Sequence, residues 1–140
     1  MNGIPIKIVI DTNIIFMSIY DRKGNAAKII DLANEGKILL YAPISVREEI
    51  FNVLKKEFDW DEQEIEDDIG ELPIKWVEKE IYQGAMEKTK VKHKADKPIE
   101  ALALILNCGI LTADKHFDTI KNKLKVDDLL EQLNKNQKSF

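Results

Sequence analysis

The segment IKIVIDTN, residues 6 to 13, starts with a short apolar stretch and ends in polar residues. Isoleucine and valine favour extended backbone, and an almost wholly apolar run of this length is typical of a parallel strand that is buried on both faces. Ile6 to Ile10 is therefore predicted to be a buried strand of a parallel sheet. Because Asp11 follows this run directly, its carboxylate is expected at the carboxyl end of the strand.

Helix-like and strand-like patterns alternate along the rest of the chain. Apolar residues recur at helical spacing at 13–20, at 25–35, after Pro43, near 79–87 and at 98–107. Strand-like runs occur at 37–41, at 74–77, at 110–112 and at the start of 124–133, which should lead into a last helix. This alternation predicts an α/β fold in which helices cover both faces of a central parallel sheet.

Three details of this pattern can be compared with a structure. The helix at 98–107 is apolar nearly all round and is expected to be buried. Gly36 and Gly109 are expected to end the helices that precede them. The acidic segment 61–71 is predicted to be either a peripheral helix or a mobile cap.

The composition narrows the class of protein. The chain has 140 residues, of which 44% are hydrophobic and 33% charged, and this balance predicts one globular domain over residues 1–140. No apolar run approaches the roughly 20 residues that span a bilayer, and the N-terminus lacks the layout of a signal peptide, so a cytoplasmic protein without membrane association is expected. Cys108 is the one cysteine, which excludes an internal disulfide and a multi-cysteine zinc site.

The net charge of −4 argues against a protein that coats nucleic acid by bulk electrostatics. It is compatible with a hydrolase that binds a divalent cation in an acidic pocket.

Four carboxylates are expected at one edge of the predicted sheet, where open α/β sheets bind their ligands. Asp11 follows the first strand, Asp96 precedes the buried helix, and Asp114 follows the strand at 110–112. Glu49 lies near the border of the apolar face of the helix after the second strand, and it can face the same edge. Glu48 is the alternative to Glu49.

Carboxylates that meet at one edge need a cation between them. A pair of them about 4 Å apart repels by roughly 4 kcal/mol at an effective dielectric constant of 20. Oxygen ligands favour Mg²⁺ or Mn²⁺ over zinc, so Asp11, Glu49, Asp96 and Asp114 are candidate metal ligands and catalytic residues for hydrolysis of a phosphodiester. Taken singly, Asp11 or Asp96 is explained as well by capping of a helix, whereas the four together favour a metal site.

Further polar residues lie close to these carboxylates in the sequence. Glu100, one helical turn after Asp96, is a candidate ligand or water-orienting group, and Asp118 is a similar candidate beside Asp114; the alternative for both is a solvated helix surface. The lysine-rich run at 88–97 is either a phosphate-binding rim or a solvated loop. The candidate substrate-binding residues are Arg47, Lys92, Lys94, Lys97 and Lys115. His93 and His116 are not at metal-ligand spacing, and His116 is expected at the edge of the site.

Four strings of the sequence are similar to signature blocks of a known family. IVIDTN at 8–13, VREEIFNVL at 46–54, ADKPIEALAL at 95–104 and ILTADKHF at 110–117 resemble, in order and spacing, the four blocks of the PIN (PilT N-terminus) domain family. The resemblance covers about the first 120 residues and implies a three-layer α/β/α nuclease fold with a central parallel sheet, a Mg²⁺ or Mn²⁺ site and single-stranded RNA as substrate. Asp11, Glu49, Asp96 and Asp114 match the four acids of the family, and Asn13 and Thr112 match its supporting polar positions.

Within that family the chain resembles the small VapC-like ribonucleases, many of which are homodimeric toxins of toxin–antitoxin pairs. The resemblance implies a metal-dependent endoribonuclease, an antitoxin partner and a homodimer. Lys97, Pro98 and the acidic segment 61–71 depart from the pattern of that group. One rival is a non-catalytic PIN-like scaffold that binds RNA or protein. A second rival is a phosphohydrolase of small phosphate esters, but the sequence has no glycine-rich loop to hold the phosphate.

Overall fold

A computed structural model of the protein describes the backbone of residues 4–138 and the side chains of residues 4–135. In that part of the chain, five parallel strands form one sheet in the order β3-β2-β1-β4-β5. The strands are β1 (Ile6–Ile10), β2 (Ile38–Pro43), β3 (Ile74–Val77), β4 (Gly109–Leu111) and β5 (Lys123–Leu124). Strand β1 lies in the middle of the sheet, and its Ile8, Val9 and Ile10 are fully buried. The predicted parallel strand is therefore confirmed, and it is buried from Ile8 onward, whereas Ile6 and Lys7 are exposed.

Helices connect the strands and cover both faces of the sheet. They are α1 (Thr12–Tyr20), α2 (Asn25–Asn34), α3 (Ile44–Glu57), α4 (Glu62–Glu71), α5 (Lys79–Tyr82), α6 (Lys97–Leu106) and α7 (Val126–Lys138). Short 3₁₀ turns occur at Gln83–Lys88, Lys94–Asp96 and Lys115–Phe117. The single helix predicted near 79–87 is thus a four-residue α-helix that continues as a 3₁₀ turn.

Two groups of helices build the outer layers. Helix α6 packs across β1, β2 and β4 and contacts α5. Helix α2 contacts both α1 and α7, and α3 packs on β2 and β3. The predicted three-layer α/β/α fold with a parallel sheet is confirmed. None of the helices between residues 4 and 138 is long and apolar enough to cross a membrane.

Helix α6 is less buried than its composition predicted. Ile99, Ala101 and Leu102 face the core, but Leu104 and Ile105 are 45% and 48% exposed. A helix that lies on a sheet buries one face only, so the apolar residues on the opposite face of α6 stay in contact with solvent. The prediction of a helix buried nearly all round was wrong for this face.

The ends of α2 and α6 use left-handed residues in different ways. Gly36 follows α2 with φ +77°, a conformation that glycine adopts without strain, as the sequence predicted. Helix α6 ends at Asn107, with φ +51°, and not at Gly109 as predicted. Gly109 instead begins β4, where a Cβ atom would lie 2.7 Å from Cδ1 of Leu124. A Cβ atom there would force the Leu124 side chain to move and would lie 3.1 Å from the carbonyl oxygen of Asn122, so glycine fits this position best.

The acidic segment forms a peripheral helix, one of the two predicted alternatives. The carboxylate of Asp61 accepts a hydrogen bond from the amide of Gln63 at 3.1 Å and caps α4. Ile65 and Ile69 are fully buried against the domain, and the acids lie on the exposed face.

Candidate metal centre

The site is built where β1 and β4 end side by side. The amide of Asp11 continues the pairing of these strands by donating to the carbonyl of Leu111 at 3.0 Å. The buried hydroxyl of Thr112 donates to Oδ2 of Asp11 at 2.7 Å and accepts from the amide of Asp114 at 2.9 Å. Thr112 therefore joins the carboxylate that follows β1 to the backbone that carries the carboxylate after β4.

A third carboxylate comes from the start of α6. Nδ1 of His116 lies 3.1 Å from Oδ2 of Asp96 and 3.3 Å from Oδ1 of Asp114. One donor atom from each of Asp96, Asp114 and His116 lies within 4.8 Å of the other two. The ring of His93 stacks on that of His116, with 3.7 Å between the ring centroids.

The electrostatics of Asp11 show that the carboxylates act on one another. The pKa of Asp11 is raised from 3.8 to about 6. Burial is the largest cause and the charges of Asp114 and Asp96 act in the same direction, whereas hydrogen bonds from the Thr112 side chain and the Thr12 backbone oppose them. Burial and the charge of Asp114 also raise the pKa of Asp96, and His116 acts in the opposite direction. The site is therefore a negative pocket in which ionised carboxylates are costly.

Lysine and arginine do not neutralise this pocket. Among the side chains of residues 4–135, the basic group within salt-bridge distance of Asp11, Asp96 or Asp114 is His116 alone. Hard carboxylate oxygens grouped without a lysine or arginine partner fit a divalent cation. The donor set of the site is thus compatible with Mg²⁺ or Mn²⁺.

Capping does not account for two of the acids. Asp11 and Asp96 occupy the N-cap positions of α1 and α6, yet neither side chain makes a capping hydrogen bond. Asp114, in contrast, accepts a hydrogen bond from the amide of His116 at 2.9 Å and caps a 3₁₀ turn. The alternative explanation by helix capping therefore lacks the contact that it requires at Asp11 and Asp96.

Glu49 lies at the α3 side of the site. Its Oε2 accepts a hydrogen bond from the hydroxyl of Thr12 at 3.2 Å, and Thr12 directly follows Asp11. The charge of Glu48 instead acts on the buried Tyr82. Glu49 is thus linked to the residue after Asp11, and both Glu49 and Asp11 lie outside the close group of Asp96, Asp114 and His116.

Two acids that the sequence placed beside the site have other partners. Oε1 of the buried Glu100 accepts hydrogen bonds from the amides of Lys90 and Val91, at 2.6 and 2.9 Å. Asp118 is exposed and pairs with Lys123, which also donates to the carbonyl of Asp114 at 3.3 Å. Glu100 therefore anchors the lysine-rich segment, and Asp118 supports the turn after Asp114.

Some of the candidate substrate-binding residues also have other partners, and the rest are exposed. Arg47 pairs with Glu66 of α4 at 2.6 Å, so its guanidinium is engaged by an acid outside the carboxylate cluster. Lys97 donates to the hydroxyl of Thr89 at 3.4 Å. Lys92, Lys94 and Lys115 are exposed, and so is Asn13, which was predicted as a supporting residue.

Sequence reasoning gave His116 only a place at the edge of the site. The signal was present in the string ILTADKHF, because Asp114 and His116 flank one residue at the start of a 3₁₀ turn. The contact with Asp96 was not visible, since it depends on how α6 packs against the end of β4.

The fold and the site define an α/β protein with a carboxylate cluster at the carboxyl ends of its parallel strands. The sequence of residues 9–134 matches the PIN domain family, and the chain belongs to this family, as its four motifs predicted. No curated protein matches the sequence.

Two solved structures share the fold. One is VapBC2 from Rickettsia felis bound to a DNA fragment from its promoter, with 17% identity, a TM-score of 0.59, and coverage of 85% of this chain and 96% of that chain. The other is a toxin-antitoxin complex from Klebsiella pneumoniae, with 17% identity, a TM-score of 0.65, and coverage of 85% of this chain and 97% of that chain. At this level of identity the likeness shows a common fold.

Proposed function

We propose that the protein is a metal-dependent endoribonuclease that hydrolyses phosphodiester bonds of single-stranded RNA. Membership of the PIN family supports a nuclease. The observation that carries the proposal is the meeting of Asp11, Asp96 and Asp114 at one edge of the sheet without a lysine or arginine partner among the described side chains. Such a pocket is unfavourable by itself and becomes stable when a divalent cation enters it.

Asp11, Asp96 and Asp114 would hold Mg²⁺ or Mn²⁺, with Glu49 at the α3 side of the site. The bound ion would supply positive charge to the phosphate oxygens and lower the pKa of a coordinated water. Thr112 fixes the orientation of the Asp11 carboxylate through its 2.7 Å hydrogen bond. Thr12 does the same for Glu49. These contacts keep the acids in place before substrate binds.

The RNA strand would be held by cations around the site. Lys92, Lys94 and Lys115 are exposed on segments that flank Asp96 and Asp114, and their charges are available for phosphate contacts. Glu100 fixes the backbone of the lysine-rich segment by accepting hydrogen bonds from two of its amides. Asn13, exposed at the start of α1, would contact the substrate or its water.

Cleavage of labelled single-stranded RNA by the purified protein, with and without Mn²⁺, tests this proposal. We expect cleavage by the wild type only when the metal is present, and a loss of about 100-fold or more in Asp11→Asn. Asp31→Asn, which changes an exposed carboxylate on α2, is the matched control and should retain activity. Binding of RNA without metal and without cleavage by any of these proteins would instead favour a scaffold.

We further propose that the protein is the toxin of a toxin–antitoxin pair and acts in the cytoplasm as a homodimer. The similarity in fold to VapBC2 and to a toxin-antitoxin complex supports a protein partner. An exposed apolar groove between α1 and α3, lined by Phe16, Met17, Tyr20 and Phe58, lies next to the site and offers such a partner a surface.

The toxin hypothesis is tested in cells. Overexpression should arrest growth, and co-expression of a short neighbouring reading frame should restore it. Harmless overexpression, together with the absence of such a neighbour, would count against a toxin, while leaving the ribonuclease activity to be measured separately.

A further inference from the structure

The position of His116 differs from that of an ordinary surface histidine. Its Nδ1 lies between two carboxylates, 3.1 Å from Asp96 and 3.3 Å from Asp114. It is also one of three donors within 4.8 Å of one another, and it is the one nitrogen donor among them. Two readings fit these contacts: the imidazole is a counter-ion for the carboxylates, or it is a ligand for the same cation.

The distances fit a shared cation as well as they fit an ion pair. Two donor atoms that sit at right angles about 2.1 Å from one ion are about 3 Å apart, as in octahedral Mg²⁺ or Mn²⁺ sites. The Nδ1 to carboxylate distances of 3.1 and 3.3 Å are close to this separation. One ion can therefore contact the three residues with small movements of their side chains.

The imidazole is also held in this position before any ion is bound. His93 stacks on it, with 3.7 Å between centroids and 18° between the ring planes. The backbone amide of His116 is fixed by its hydrogen bond to Asp114, at 2.9 Å. A ring that is stacked on a neighbour and carried on a fixed backbone has less conformational freedom to lose when it binds a ligand.

We infer that His116 is a nitrogen ligand of the catalytic cation and that it makes this site select Mn²⁺ over Mg²⁺. The inference rests on the metal site of the proposed function and adds the identity of the ion to it. Mg²⁺ prefers oxygen donors and keeps its waters, whereas imidazole nitrogen binds first-row transition metals well. A purely carboxylate site would not distinguish the two ions in this way.

Pulsed electron paramagnetic resonance of bound Mn²⁺ tests the inference without any measurement of activity. The full chain is prepared with ¹⁵N-labelled histidine, which marks only His93 and His116 because the sequence has 2 histidines. We expect a hyperfine coupling between Mn²⁺ and a labelled nitrogen in the wild type and in His93→Phe, which keeps an aromatic ring against His116. His116→Phe should lose the coupling, bind Mn²⁺ about tenfold more weakly and bind Mg²⁺ almost unchanged.

The outcomes separate this inference from the proposed function. Mn²⁺ bound by the wild type without nitrogen coupling would overturn the inference and leave a carboxylate-bound metal intact. Equal Mn²⁺ affinities of the wild type and His116→Phe would also overturn it. Failure of the wild type to bind Mn²⁺ at all would overturn the metal site and the inference together. The spectrum of His93→Phe, in which His116 is the one labelled histidine, decides the question even if His116→Phe does not fold.

Discussion

Replacement of Asp11 by Asn should stabilise the metal-free protein at neutral pH. The carboxylate of Asp11 is 3% exposed and lies beside Asp96 and Asp114, so its charge is unfavourable in the folded chain. Asparagine has the same shape, and its carbonyl oxygen can accept the hydrogen bond that Thr112 donates at 2.7 Å. The substitution therefore removes the charge and keeps the local packing.

The magnitude follows from the pKa of Asp11, which rises from 3.8 to about 6 on folding. This rise corresponds to a loss of about 3 kcal/mol in the free energy of unfolding, as an upper bound, when the carboxylate is ionised in both states. Between these pKa values the folded chain binds more protons than the unfolded chain, so the stability falls as the pH rises through this window. We expect Asp11→Asn to be more stable by about 1–3 kcal/mol at pH 8 and by less than about 1 kcal/mol near pH 4.

Urea unfolding of the metal-free proteins at both pH values measures this difference. Asp31→Asn on the surface of α2 controls for the loss of a carboxylate elsewhere, and it should change the stability by less than about 0.5 kcal/mol. An Asp11→Asn variant that is no more stable than the wild type at pH 8 would contradict the electrostatic description of the pocket. It would mean that the charge of Asp11 is compensated in the folded protein.

Three further predictions concern the metal and two supporting residues. Mn²⁺ at about 100 times its dissociation constant should stabilise the wild type by about 2.7 kcal/mol, measured by thermal unfolding. It should leave the stability of the double variant Asp96→Asn/Asp114→Asn unchanged, and an equal shift in both proteins would place the ion elsewhere. Glu100→Ala leaves two backbone amides without their acceptor and should lower the free energy of unfolding by about 1–3 kcal/mol. Hydrogen exchange at 88–93 should become faster, and unchanged exchange would show that this segment does not depend on Glu100. Gly109→Ala introduces a Cβ 2.7 Å from Cδ1 of Leu124 and should lower the free energy of unfolding in urea by about 1–3 kcal/mol. Gly84→Ala, which has open space around it, should lower it by less than about 1 kcal/mol, and similar losses in the two variants would refute the packing argument.

The fold was predictable because its strands have an unambiguous composition. A strand buried on both faces of a sheet is largely apolar, and residues 8–10 of β1 have this character, whereas Ile6 and Lys7 at its start are exposed. Asp11 and Asp114 were predictable for the same reason, since each follows a strand and parallel strands end at a common edge. Gly109 was misread as the end of α6 because asparagine can also adopt a left-handed conformation, as Asn107 does.

The contacts between distant side chains were not predictable. Arg47 was expected near the phosphate and pairs with Glu66, and Glu100 was expected near the metal and binds two backbone amides. The sequence shows that such residues are close to the site in the chain, but the direction of each side chain is decided by the packing of α4 and α6. The approach of His116 to Asp96 has the same origin.

A crystal of the protein soaked with Mn²⁺ tests the metal centre most directly. We expect anomalous density for at least one ion in contact with Asp96 and Asp114, at the edge of the sheet where Asp11 follows β1. Undisturbed carboxylates with no density between them at millimolar Mn²⁺ would contradict a cation-stabilised cluster, and with it the proposed nuclease.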